Sequence, residues 1–192
     1  MLNRNFFFEQ TKLTLFSGKF NQTQVDGLSA ILDEWETNHS KKDDRWLAYM
    51  LATTHHETDR TIKGIEEYGK GKNKPYGRNI KQNGTKYFDT TNLFYGRGFV
   101  QLTWYENYQK AGKKLGLDLI KKPELVLEIK NATKILFNGM MDGWFTGKKL
   151  SDYFNPAKEQ WLNARKIING KDKRELIAAY GKQYYAAISY TT

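Results

Sequence analysis

The stretch Arg45–Gly69, RWLAYMLATTHHETDRTIKGIEEYG, decides the fold. Leu47, Met50, Leu51 and Thr54 recur at offsets of three, four and seven, the spacing of the buried face of an amphipathic helix over about 44 to 60. Glu57 follows Met50 by seven positions and Thr54 by three, so it shares that inward face at the helix's C-terminal end. Burial and the negative end of the helix dipole both disfavour a charged carboxylate there. A carboxyl kept protonated near neutral pH is what a general acid requires. The structural alternative is a glutamate at a frayed helix end, paired to Arg60 or His56. A turn then delivers a second carboxylate, Glu66 or Glu67.

The chain has 192 residues, the size of one domain able to bury its own core. It contains no cysteine, which excludes a disulfide framework and thiolate metal sites and fits synthesis in a reducing cytoplasm. With 31 Lys+Arg against 21 Asp+Glu, the formal charge of +10 favours a polyanionic partner: nucleic acid, an anionic membrane or a bacterial envelope polymer. The aromatic fraction of 15% suits sugar faces and bases as well as a core. The opening MLNRNFFFEQTKLTLF has an apolar run of three, too short for a signal segment. Nothing approaches the roughly 18 apolar residues of a transmembrane span.

Along the chain, Thr23 and Asp26 have capping-box spacing, and Val25, Leu28, Ile31, Leu32 and Trp35 form an apolar stripe ending near Asn38. KGKNKPYGRNIKQNGTK, 70 to 86, is a cationic loop with six basic residues and no acidic one, expected to be mobile and to border the cleft. In FYGRGFVQLTW, 94 to 104, two glycines flank Arg97 and permit close backbone approach, and Thr103 with Glu106 has the T-x-x-E signature of a helix start. Pro123 suits the first turn of a long helix, a further helix is expected over about Pro156 to Ile168, and Asp172 with Glu175 should open a last one reaching Tyr190. That basic, aromatic final helix suits docking on the core more than an anionic membrane surface. With no repeat or linker, these segments form one mainly α domain.

HHETDR is not a zinc-peptidase motif, because H-E-x-x-H needs histidine where Arg60 stands. The lysines are scattered rather than striped, and no nucleic-acid module is recognisable. Two carboxylates with aromatic and amide side chains suit glycoside hydrolysis.

His56-Glu57-Thr58 and the segment Tyr95-Gly96-Arg97-Gly98-Phe99-Val100-Gln101-Leu102-Thr103 together resemble the paired signatures of family 19 glycoside hydrolases. Within that family the chain looks most like single-domain bacteriophage endolysins. The likeness extends through Gln22–Asp26, Gly143–Gly147 and Ala164–Lys173, nearly the whole chain. It implies a mainly α, lysozyme-like single catalytic domain over 1–192, with a cleft between the helical core and loop 64–100 and no separate cell-wall-binding domain. Residue by residue, it implies that Glu57 is the general acid, that Thr103 helps to hold the attacking water, and that Tyr95, Gln101, Asn107 and Asn169 bind sugar. A related T-x-x-P-I-x-E pattern, with Gly64 in place of proline, puts the base at Glu67, whereas a spacing of nine from the first glutamate selects Glu66. Glu67 is preferred, and neighbours in an extended turn point opposite ways, so one of the pair faces the cleft.

The resemblance further implies an inverting single displacement without metal or organic cofactor. The expected substrate is the β-1,4 bond between N-acetylmuramic acid and N-acetylglucosamine in peptidoglycan, with chitin as the alternative and nucleic acid set aside. Positive charge would assist adsorption to an anionic envelope. A monomer is expected, held in the host cytoplasm until a holin opens the way to the cell wall.

Overall fold

A computed structural model describes residues 2–189. Its axis is helix α3, Asp44–Glu57. Asp43 caps it by accepting the Arg45 amide at 3.0 Å. The spacing predicts one buried face, yet every residue from Leu47 to His55 is buried. The reason is tertiary. Helix α6 (Arg174–Ile188) lies along α3 as its most extensive neighbour, and α2 (Gln22–Asn38) and α5 (Ile129–Asp142) cover other sides.

Helix α1, Arg4–Leu15, has no counterpart in the sequence-based expectation. Asn3 caps it, and Phe7, Thr11 and Leu15 turn inward at four-residue steps, with Phe7 stacked on Tyr184 of α6. Helix α2 opens earlier than Thr23. Asn21 and Gln24 form the capping box by exchanging two 2.9 Å bonds, while Asp26 takes the Gln22 amide at 2.7 Å.

Helix α4 is Tyr105–Leu115. The helix expected from Pro123 is two elements: a 3-10 turn, Pro123–Leu127, then α5, separated by extended backbone at Glu128. That break puts the Val126 carbonyl 2.8 Å from where a Cβ on Gly98 would stand, so the turn packs against the Y-G-R-G backbone. No α-helix spans 156–168. Pro156 and Ala157 turn a short hairpin, β3 (Phe154–Asn155) to β4 (Lys158–Glu159), with Asn155 Oδ1 accepting the Ala157 amide at 3.0 Å. A 3-10 turn, Asn163–Ile167, follows. Asp172 does not cap α6, whose preceding residue Lys173 is left-handed with φ +54°; Tyr190 lies outside the described residues.

Between α3 and α4, β1 (Ile65–Glu66) pairs antiparallel with β2 (Arg97–Gly98). The cationic segment between them is a series of hydrogen-bonded turns, with a bridge from Ile80 to Lys86 closing a small hairpin. Residues from all six helices contribute to one buried cluster, in which α3 is central. The fold is mainly α.

Candidate active site

Glu57 is the last helical residue of α3. The chain reverses at once: the Thr58 hydroxyl donates to the Thr54 carbonyl at 2.7 Å and accepts the Ile62 amide at 3.0 Å, and Asp59, Arg60 and Ile62 all have positive φ. Such backbone costs of the order of 1–3 kcal/mol per residue and needs enclosure to persist. Gly27 of α2 supplies it, since the Ile62 carbonyl oxygen lies 1.9 Å from where a Cβ on Gly27 would stand.

The carboxylate does not pair with Arg60 or His56. Arg165, 3% exposed, donates from Nη1 to Glu57 Oε1 at 2.6 Å and from Nε to the Asp172 carbonyl at 3.1 Å. Glu57 is therefore held by a buried cation rather than isolated in apolar surroundings. Burial, the largest influence, lowers the neighbouring His56 below its ordinary value. Arg165 lies 108 residues from Glu57 in a stretch whose local pattern reads as helix, so no local signal marks it.

The β1–β2 register distinguishes the two following glutamates. Glu66 faces Arg97 across the ladder. Its carboxylate accepts from the Tyr95 hydroxyl at 2.7 Å and from Arg97 Nε at 3.1 Å, and it pairs with Lys70 Nζ at 3.0 Å. Chiefly through the Tyr95 bond, then those cations, it is pulled down to about 2. Arg97 is buried, bonded to the Leu93 carbonyl and the Tyr108 hydroxyl, with its guanidinium 3.7 Å from the Tyr95 ring centre. Glu67 continues the ladder, its amide donating to the Gly96 carbonyl at 2.7 Å. Its carboxylate accepts from the Tyr76 hydroxyl at 3.1 Å and the Gly96 amide at 3.3 Å.

One cavity of about 510 Å³ collects Glu57, Glu67, Gln101, Thr103, Asn107 and Asn169. Tyr95, expected to bind sugar, and Glu66, the alternative to Glu67 as the base, do not line it; they are engaged with each other and with Arg97. Tyr76, Gln82, Trp104, Phe145 and Thr146 also line the cavity and were not expected from the sequence. They come from three separate segments, which sequence proximity does not connect.

The Y-G-R-G segment shapes this wall. Gln101 has φ +50° and its amide nitrogen donates to the Ile65 carbonyl at 3.2 Å, with its Oε1 2.6 Å from where a Cβ on Gly96 would stand. Asn107 donates to the Thr103 carbonyl at 2.8 Å, and Asn169 Oδ1 accepts the Gly170 amide at 2.8 Å. The Thr103 hydroxyl has no hydrogen-bond partner among the described residues. The T-x-x-E signature does not form a cap: Trp104, with φ +75°, precedes α4, and Glu106 Oε1 instead accepts the Gln82 amide at 2.9 Å. Glu106 thereby ties the basic loop to the cavity wall. The edge-to-face contact of Tyr76 and Trp104, 5.6 Å between centres, ties it again. Two carboxyl groups, a free hydroxyl, amides and aromatic edges can bind a polar, ring-shaped substrate and move protons at two points on it.

The profile of glycoside hydrolase family 19, described as "Chitinase class I", matches residues 30–164. The chain belongs to glycoside hydrolase family 19. Similar proteins include Chitinase 8 of Oryza sativa subsp. japonica, 39% identical over 82 residues, 43% of this chain and 29% of that one. Endochitinase CH5B of Phaseolus vulgaris is 36% identical over 55 residues, covering 29% of this chain and 16% of that one. The matched segments thus span less than a third of either relative. The class IV chitinase of Zea mays has TM-score 0.60 at 14% identity, covering 95% of this chain and 92% of that one. Chitinase C of Streptomyces griseus HUT6037 has TM-score 0.60 at 22% identity, covering 100% and 78%. These two structures show the same lysozyme-like fold. Among the described residues no group of three or more potential ligands could hold a metal, and no helix is long and apolar enough to cross a membrane.

Proposed function

We propose that the chain hydrolyses a β-1,4 glycosidic bond in a polymer containing N-acetylglucosamine, by single displacement with inversion. The observation that carries this is the presence of Glu57 and Glu67, from two different elements, in one cavity with the unpaired Thr103 hydroxyl. Glu57 gives its proton to the leaving oxygen. With Oε1 held by Arg165, Oε2 carries that proton, and the same guanidinium stabilises the carboxylate left behind. Glu67 takes a proton from a water that the Thr103 hydroxyl orients, and that oxygen bonds to the anomeric carbon as the leaving bond breaks. Inversion asks for carboxyls about 6.5–9.5 Å apart, with the water between. The amides of Gln101, Asn107 and Asn169 would bond N-acetyl and hydroxyl groups.

Chitin is the first substrate to test, because the similar proteins are named chitinases. Peptidoglycan is the second reading, favoured by the net charge of +10 and the basic loop beside the cavity. On that reading the protein is an endolysin cleaving between N-acetylmuramic acid and N-acetylglucosamine, released to the wall by a holin.

The deciding experiment digests chitin oligomers and purified peptidoglycan with the wild type and with Glu57→Gln, Glu66→Gln and Glu67→Gln. New reducing ends from either polymer, lost by about 10²-fold or more in Glu57→Gln and Glu67→Gln alone, support the assignment. New free amines without reducing ends would refute glycosidase chemistry. The polymer that yields reducing ends names the substrate.

A further inference from the structure

A second cavity, of about 640 Å³, lies on the basic hairpin and is lined by Arg78, Asn79, Lys86, Phe88 and Thr90 among others. Its size is that of ordinary ligand sites, about 300–1,000 Å³. Phe88 is 86% exposed, although its neighbour Tyr87 is 4% exposed and stacked on Tyr105 with centres 4.8 Å apart. The aromatic packing at this place is completed by Tyr87, so the fold makes no use of the Phe88 ring. One exposed phenyl is ordinary on a protein surface. This one stands beside two cations, Arg78 and Lys86, that have no ion-pair partner among the described residues. Among the described residues no carboxylate lines the cavity. The adjacent Asp89 is occupied elsewhere, accepting the Tyr105 hydroxyl at 2.7 Å.

Position links this cavity to the candidate active site. The bridge from Ile80 to Lys86 closes the hairpin, and Gln82, within its turn, lines the catalytic cavity. One hairpin thus carries Gln82 at the catalytic cavity and Arg78 and Lys86 at the second, so that a strand bound past Gln82 would run towards both cations. A phenyl face suits the C–H face of a pyranose, the Thr90 hydroxyl, which accepts the Asn92 amide at 3.1 Å, still has its own proton to donate to a sugar hydroxyl, and an unpaired guanidinium suits a carboxylate, which it can hold through two bonds. A neutral polymer would leave both cations without a partner.

We infer that this cavity is an accessory glycan-binding site for a strand that carries carboxylates, as peptidoglycan does on its peptide stems. It rests on the proposed action on a glycan and selects between the two substrates considered above.

The test uses full-length Glu57→Gln as parent, so that binding is read without turnover. Co-sedimentation measures its affinity for insoluble peptidoglycan, for peptidoglycan whose carboxyls have been amidated, and for chitin, against Arg78→Ser/Lys86→Ser and Phe88→Ala added to that parent. Thermal melts check that each variant is folded. The expected result is about a tenfold loss of peptidoglycan affinity in the double variant, the same loss for the parent on amidated peptidoglycan, and weaker salt dependence in both cases. Phe88→Ala should weaken binding to native and amidated strands alike. Equal binding of native and amidated peptidoglycan by the parent, undiminished affinity in the double variant, or no binding of the parent to peptidoglycan would each overturn the inference. Failure of the proposed hydrolysis shows separately, as wild-type digestion without new reducing ends.

Discussion

Glu66 faces Arg97 across the β1–β2 ladder, and the next residue, Glu67, enters the cavity that Glu57 also lines. One register thus distinguishes adjacent glutamates, because successive side chains on extended backbone point to opposite sides. Arg97→Met should therefore destabilise the fold by about 2–4 kcal/mol in urea titrations, through loss of the buried guanidinium's bonds to Glu66, Leu93 and Tyr108. A change within 0.5 kcal/mol, at the level expected for plain surface sites, would show that the clasp contributes nothing.

Acid should weaken the fold in two successive windows. Burial pushes His55 down from 6.5 to about 4, so the unfolded chain binds its proton first and stability falls as pH drops from 6.5 towards 4. The Tyr95 bond and the adjoining cations hold Glu66 at about 2 against an ordinary 4.5, so its contribution is complete above pH 4.5 and lost as pH falls towards 2. Urea midpoints measured across pH 7 to 2 check both. His55→Gln should flatten the upper window and Glu66→Gln the lower. An unchanged slope in either variant would remove that group from the account.

Arg165→Met should lower kcat by the order of 10²-fold, the scale of losing one charge-stabilising donor, with much less change in KM. Arg165→Lys should recover part of the rate, because the charge returns while the bond to the Asp172 carbonyl does not. A purely structural arginine would move the melting temperature and leave kcat of the folded variant where it was.

Two glycine substitutions should separate folding from binding. A methyl on Gly27 would meet the Ile62 carbonyl oxygen at 1.9 Å, fixed backbone in the turn after Thr58, so Gly27→Ala should cost about 1–3 kcal/mol by thermal denaturation. A methyl on Gly139 would meet ring carbons of Phe145 from 2.1 Å, and that ring lines the cavity. Gly139→Ala should therefore displace the ring and raise KM several-fold. An unaltered KM would exclude Phe145 from substrate contact.

How legible the molecule was in its sequence depended on how far apart the cooperating residues lie. The heptad-like spacing around Met50 and Leu51 located α3 and put Glu57 at its end, because helix periodicity is a property of neighbouring residues. The Y-G-R-G segment likewise located the wall that carries Gln101, Thr103 and Asn107. Local pattern failed where a neighbour competed for the same groups. Asn21 and Gln24 took the cap expected of Thr23 and Asp26, and Glu106 bonded to Gln82 instead of capping α4.

The sequence by itself thus determined the mainly α class, the central helix ending at Glu57, the Glu66-Glu67 pair as the source of a second carboxylate, and the basic character of the chain. Tertiary structure alone decided that Glu57 meets Arg165 and that Tyr95 turns away to Glu66, and the β1–β2 register separated Glu67, which the sequence already favoured, from Glu66. Each of those outcomes depends on which distant backbone lies within hydrogen-bonding reach, and that is set by the packing of α6 on α3 and the β1–β2 register, neither of which is encoded in a local spacing.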